Sequence, residues 1–283
     1  AWMNDVPKLP GTVNIRIHVD MNQNKVDRFY LNYETNAPFD YIVTDDDTLK
    51  GNERVFIVSR ALPRQVRHVP RHDTIPIIGT HGFFVDGGGK CIDTLFRKVN
   101  EEFDEAIIRV HVIECYLNRA LAGKKYIEKL SGQLITKPGI KVEITDNFMS
   151  TDELVEWLSQ NTINFYPYKY NDGAGLGSSV DYALAARRPI ALTWSHQTRN
   201  FWHIPEIFVE NNSLRSIIER GISPIEHLHT KYTHENLVKS YREVYEKVTS
   251  IKFEDRLGIY DAINVNAETI DDVYDFIFKD RKS

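Results

Sequence analysis

Apolar and polar residues alternate between positions 13 and 19, with Val13, Ile15, Ile17 and Val19 on one side, the period of a half-buried strand. Two more β-rich runs follow at 39–44 and 55–58, with a turn or short helix expected at 45–53. The basic stretch 60–71, broken by Pro63 and Pro70, reads as a linker or surface crossover. From residue 74 the pattern becomes a regular succession. An apolar run at 75–78 is followed by Ile92, Leu95, Phe96, Val99 and Phe103, one face of a helix over 89–103. A β-rich run at 106–113 leads to a helix carrying Tyr126, Ile127, Leu130 and Leu134, stopped before Pro138-Gly139. A strand at 140–144 precedes Ser150-Thr-Asp-Glu153, a capping box that opens a helix bearing Leu154, Trp157 and Leu158. Then come a strand at 163–168, a glycine-rich loop, a helix with Val180, Ala183 and Leu184 inward, and a strand at 190–194. Three helices are expected beyond residue 200, at 214–220, 234–248 and 268–278.

Strands alternating with helices of this length predict an α/β fold with a Rossmann-like parallel sheet, beside a smaller, strand-rich N-terminal region. The expected organisation is an N-terminal region over 1–73, a main domain over 74–265 and a terminal helix over 266–283. Ligands of such sheets sit beyond the carboxyl ends of the strands. That rule places the loops 79–89, 145–150, 169–179 and 195–199 on one rim.

Composition narrows the classes. The chain has 283 residues and 32.8 kDa, with 42% hydrophobic and 27% charged residues, enough for a sizeable core and too apolar for a mainly disordered chain. A net charge of −5 without a basic block argues against nucleic acid as the main partner. No apolar run reaches the ~18 residues of a membrane span, and no signal-peptide core is seen. Cys91 and Cys115 make no disulfide framework, so a cytoplasmic location is expected. The start Ala1-Trp2-Met3 is unusual, as expected either of residues added to the chain or of a piece of a longer protein.

Two segments carry candidate chemistry. Between a strand and a helix, residues 166–181 hold Gly173, Gly175 and Gly177, followed by Ser178 and Ser179 at the expected helix start. Glycines allow close backbone approach, and free N–H groups at a helix start favour a phosphate or diphosphate. The plain alternative is a tight turn with a serine cap. The spacing is not a Walker loop and is a poor dinucleotide fingerprint. The second segment, 79–90, runs Gly79-Thr-His81-Gly82 through further glycines to Lys90 at a helix start. A cation there opposes the helix dipole and makes better sense with an anion beside it. His81 reads either as a ligand contact or as a plain loop histidine.

The stretch from about 75 to 203 resembles the donor-binding, C-terminal half of GT-B glycosyltransferases of the group 1 type. The matching pieces are the glycine loop with Lys90, the loop-to-helix from Asp146-Asn147-Phe148, the buried strand ending Tyr166-Pro167, and Gly173 to Pro189 with its "x-Pro-hydrophobic" strand. The family's two glutamates eight apart are represented here by Asp172 and Asp181, nine apart, and no arginine lies between Gly79 and Lys90. At most 73 residues precede the resembling half, so a reduced acceptor side is expected.

The resemblance implies a metal-independent transfer of a sugar from a nucleoside-diphosphate donor. Lys90 and Asp172 are implied as the catalytic pair, Asp172 facing the sugar. Donor binding falls to Gly79, His81, Gly82, Lys90, Asp146, Asn147, Phe148, Gly175, Gly177, Ser178, Ser179 and Asp181. Asp181 is implied as the ribose ligand, and the 145–148 loop as the neighbour of the base. No cofactor and no metal are expected. The acceptor is a carbohydrate, lipid-linked or protein group, and a dimer is left open. A non-catalytic nucleotide-sugar-binding module and an epimerase are the competing readings. The terminal helix, with Ile270, Val273 and Ile277, is implied to cross back onto the N-terminal strands.

Three other features have plainer readings. Asp45-Asp46-Asp47 resembles the acidic metal motif of GT-A enzymes but reads better as a solvated turn. His227, His229 and His234 lack a zinc spacing. Arg60, Arg64, Arg67, His68, Arg71 and His72 read as a charged linker rather than an acceptor-binding face.

Overall fold

The computed structural model describes residues 13–18, 21–31, 39–69, 74–84, 89–113, 123–171 and 175–249. By compactness the chain divides into residues 1–240 and 241–283, so the strand-rich N-terminal region shares a unit with the large sheet. The expected helix at 268–278 lies outside the described residues.

The main sheet is built from β4 (Ile77–Gly82), β5 (Glu105–Val112), β6 (Gly139–Thr145), β7 (Ile163–Tyr166) and β8 (Ile190–Leu192), in the order β6-β5-β4-β7-β8. Every neighbouring pair is parallel. The connections are α2 (Ile92–Glu102), α3 (Lys124–Leu134), α4 (Thr151–Ser159) and α5 (Ser179–Ala185). The chain builds outward from β4 to β6, then returns through α4 to lay β7 on the other side of β4. The order therefore reverses between β4 and β7, the place where doubly wound sheets open a crevice.

Helices cover both faces. On one, Leu95, Phe96 and Val99 of α2 and Ile127 of α3 pack with Ile108, Val110 and Phe165, joined by Leu214 and Ile217 of α6 (Leu214–Arg220). On the other, Leu154, Trp157 and Leu158 of α4 pack with Val180, Ala183 and Leu184 of α5 and with Leu228 of α7 (Leu228–Lys231). Each fully buried side chain of this kind contributes roughly 1.5–3 kcal/mol. The capping box is present: Ser150 Oγ accepts from the Glu153 N–H, and Glu153 accepts from the Ser150 N–H at 2.7 Å. Helix α8 runs His234–Thr249 with Val244 buried.

The N-terminal sheet is parallel, β1 (Ile15–Ile17), β2 (Tyr41–Thr44) and β3 (Val55–Ile57) in that order, with helix α1 (Gln23–Leu31) in the β1–β2 connection. Sequence pattern did not predict α1. Its signal is Asn22, whose side chain accepts from the Lys25 N–H at 2.9 Å as an N-cap. The alternating side chains of β1 are exposed rather than half-buried, Ile17 at 65%. Residues 45–53 form a turn, held where Asp46 Oδ1 accepts from the Thr48 N–H and hydroxyl. The stretch from 60 onward is no free linker. Leu62 is buried and bonded to the Tyr232 carbonyl, Val66 to that of Ala185, and His68 to that of Arg187.

Candidate functional site

A cleft of about 780 Å³ opens at the carboxyl ends of β4, β5 and β6 and against the start of α5. Of the residues singled out from sequence, it brings together His81, Gly82, Lys90, Asp146, Asn147, Phe148, Gly177, Ser178 and Ser179. It adds His111, Tyr168, Tyr182 and Gln197, which sequence reasoning missed. Gly79, Gly175 and Asp181 do not line it. Asp172 lies outside the described residues.

Lys90 is the centre of the cleft's chemistry. Its ammonium donates to the His81 carbonyl at 2.6 Å and to Ser179 Oγ at 2.7 Å. The rings of Phe84, Tyr166 and Tyr168 surround it at 5.6–5.7 Å. No carboxylate pairs with it among the described residues. Burial lowers its pKa to about 7, so near neutral pH the amine is divided between its charged and neutral forms. Lys90 stands at the start of α2, just before its N-cap Cys91. It forms a bridge with Tyr168, and α2 begins at Ile92.

The expected glycine loop at 79–82 is the second half of β4, paired with β5 throughout and with β7 at Gly79. Gly79 has a packing role, since a Cβ there would collide with the Asn161 side chain. Gly82, at φ +129°, gives way to the Lys90 ammonium, which a Cβ would strike. A Cβ on Gly177 would come within 2.7 Å of the Tyr168 hydroxyl. The Gly177 N–H is already bonded to the Gln197 carbonyl at 2.8 Å. Ser178 has helical dihedrals and caps nothing with its side chain, contrary to the serine-cap reading.

Two histidines stand side by side at the strand ends, because His81 and His111 are register partners of β4 and β5. His81 is buried, with Nδ1 on the Tyr166 hydroxyl at 2.7 Å and the ring edge-on to Tyr166 and Tyr182. Burial, then Lys90 and His111, hold its pKa well below the histidine range. His111 bonds Thr145 Oγ1 through Nδ1 at 2.9 Å and tilts against Trp157, which is backed on its own ring by Arg109 at 4.4 Å. Burial lowers its pKa too, opposed by Asp146. At the outer wall Asp146 pairs with Lys124 at 3.6 Å, and Phe148 stands 91% exposed.

Asp181 departs furthest from its implied role. Its carboxylate is buried and takes Arg60 Nη2 at 2.5 Å, while Oδ1 has no hydrogen-bond partner. Burial pushes its pKa up to about 6 against the pull of Arg60. Burial also works against the Arg60 charge, yet Asp181 and Asp45 together carry its pKa above the ordinary arginine value. Arg60 is therefore an internal cation rather than part of a charged linker. In the aspartate triplet only Asp46 is buried, on Arg199; Asp45 lies 3.6 Å from Arg60, and the exposed Asp47 bonds Lys231 at 2.5 Å. His229 is buried between the Leu184 and Glu226 carbonyls. No group of three or more metal-ligating side chains is present among the described residues, nor is any helix among them long and apolar enough to cross a membrane.

No family model matches the chain, and no curated protein matches it. Solved structures do. A Staphylococcus aureus TarM mutant in complex with fondaparinux, α-GlcNAc-glycerol and UDP superposes with a TM-score of 0.53 at 13% identity, over 81% of this chain and 50% of that one. Apo OtsA gives 0.51 at 8% identity, over 80% and 64%. Anabaena HepE in complex with UDP-glucose gives 0.50 at 10%, over 84% and 72%. The chain thus spans half the length of TarM and under two thirds of OtsA. Identities this low speak for the fold, and the fold they show is the Rossmann-like parallel architecture of the GT-B glycosyltransferases.

Proposed function

We propose that the chain is the donor side of a glycosyltransferase, binding a nucleoside-diphosphate sugar in the cleft and releasing the diphosphate without a metal. The observation that carries this reading is Lys90, a half-buried lysine without a carboxylate partner among the described residues, set against Ser178 and Ser179 in a cleft at the sheet's switch point. An ammonium with neutral partners gains most from a ligand that brings the negative charge. As the glycosidic bond breaks, charge grows on the diphosphate, and preorganised donors lower that barrier more than they stabilise the ground state. His81 and Gly82 shape the floor behind Lys90. Asp146, Asn147 and Phe148 form the wall for the base. UDP is the first donor to test, because TarM and HepE were solved with UDP and UDP-glucose.

The test is calorimetric titration of UDP and UDP-glucose with and without EDTA, followed by assay of slow donor hydrolysis. The expected result is binding that EDTA leaves unchanged, with free UDP and sugar released over time. Binding without any hydrolysis supports the non-catalytic module, and a changed nucleotide-sugar without free UDP supports an epimerase. No binding of any UDP-, GDP- or ADP-sugar refutes the donor site.

A further inference from the structure

We infer that His111 is the ribose-reading residue of the cleft, in place of Asp181; this rests on the donor-site reading above. A nucleoside diphosphate is a linear ligand, with phosphates at one end, base at the other and ribose between. The cleft has the same order. Lys90, Ser178 and Ser179 make its phosphate end beside β4, and Asp146, Asn147 and Phe148 make its outer wall beyond β6. In the sheet order β6-β5-β4, the strand between the two ends is β5, and the polar side chain it sends to the cleft is His111.

The residue implied for this task is occupied elsewhere. Asp181 does not line the cleft, and its carboxylate is joined to Arg60 at 2.5 Å. His111, in contrast, lines the cleft and is held there, 3% exposed. Thr145 fixes Nδ1, Trp157 lies against the ring, and Nε2 has no partner among the described residues. The chemistry selects a hydroxyl. If Thr145 donates to Nδ1, Nε2 carries the proton and donates; if Nδ1 donates to Thr145, Nε2 accepts. A ribose hydroxyl both donates and accepts and suits either tautomer. A phosphate oxygen only accepts, and burial disfavours the charged imidazole it would prefer.

The experiment titrates the full chain with UDP, 2′-deoxy-UDP and 3′-deoxy-UDP by calorimetry, for the unaltered protein and for His111→Phe, His111→Gln and Asp181→Asn. The unaltered protein is expected to bind UDP roughly three- to tenfold more tightly than at least one deoxy analogue, as one hydrogen bond is lost. His111→Phe closes that gap by weakening UDP alone, His111→Gln retains most of it, and Asp181→Asn keeps it. As a second measurement needing no substitution, the imidazole ¹⁵N signals of His111 shift with UDP and not with the discriminated deoxy analogue. A gap that survives in His111→Phe, a gap that vanishes in Asp181→Asn, unmoved His111 signals, or equal affinity for all three ligands overturns the inference. Failure of the unaltered protein to bind UDP or any other nucleoside diphosphate overturns the donor-site reading instead.

Discussion

At the scale of the residue, Lys90 sets the site's response to pH. Its pKa is about 7, lowered by burial from 10.5. The unfolded chain therefore binds more protons between pH 7 and 10, and this group makes the folded protein more stable as pH rises through that window. Ligand binding runs the other way. A diphosphate beside the ammonium raises its pKa, so above pH 7 binding takes up a proton and UDP affinity falls as pH rises. Calorimetry in two buffers of different ionisation enthalpy is expected to show this uptake at pH 8, and Lys90→Ala to abolish it. The same substitution should weaken UDP by roughly 1.5–3 kcal/mol and leave uridine almost unaffected. Equal losses for both ligands would mean that Lys90 holds the loop instead of touching phosphate. Gly82 belongs to the same argument. Gly82→Ala adds a methyl where the Lys90 ammonium sits, at a φ that favours glycine, and should depress both Tm and UDP affinity.

At the scale of the element, the long periodic helices were legible because each buries one face, and the central strands because helices cover both of theirs and they read as short apolar runs. Leu95, Phe96 and Val99 of α2 lie in the core as their spacing implies. The Ser150–Glu153 box was legible because capping is local in sequence, and Ser150→Ala should cost about 1 kcal/mol in denaturant unfolding. Its loss frays the start of α4 next to Asn147 and Phe148, so a modest loss of UDP affinity should accompany it. What was not legible depends on partners far along the chain. Gly79 and Gly82 disfavour strand, yet pairing with β5 and β7 holds the segment as strand. His111 sits in a run that reads only as strand; its place beside His81 follows from the β4–β5 register, which one sequence does not print. Asp181 was assigned by resemblance to ribose, and its partner Arg60 lies 121 positions away.

At the scale of the whole molecule, ion pairs tie the β2–β3 region to the large sheet: Asp45 to Arg60, Arg60 onward to Asp181, Asp46 to Arg199 and Asp47 to Lys231. Arg60 is the junction, since it is 5% exposed and lies between carboxylates from both regions. Bringing these charges out of water is costly, and their mutual attraction only repays that cost while each partner is present. Removing one partner strands the other in low dielectric. Arg60→Met should therefore destabilise residues 1–240 by about 3–5 kcal/mol, whereas Arg60→Met with Asp181→Leu should cost much less, because no buried charge then faces Asp181's site unpaired. A double-mutant cycle in urea checks this, with the deviation from additivity as the measured quantity. Simple additivity would show that Arg60 acts through its packing against the start of α5 and not through its charge. The same cycle separates fold from function. If the pair serves mainly to join the two sheets, the double variant should retain UDP binding, with the loss confined to hydrogen-exchange protection in β2 and β3.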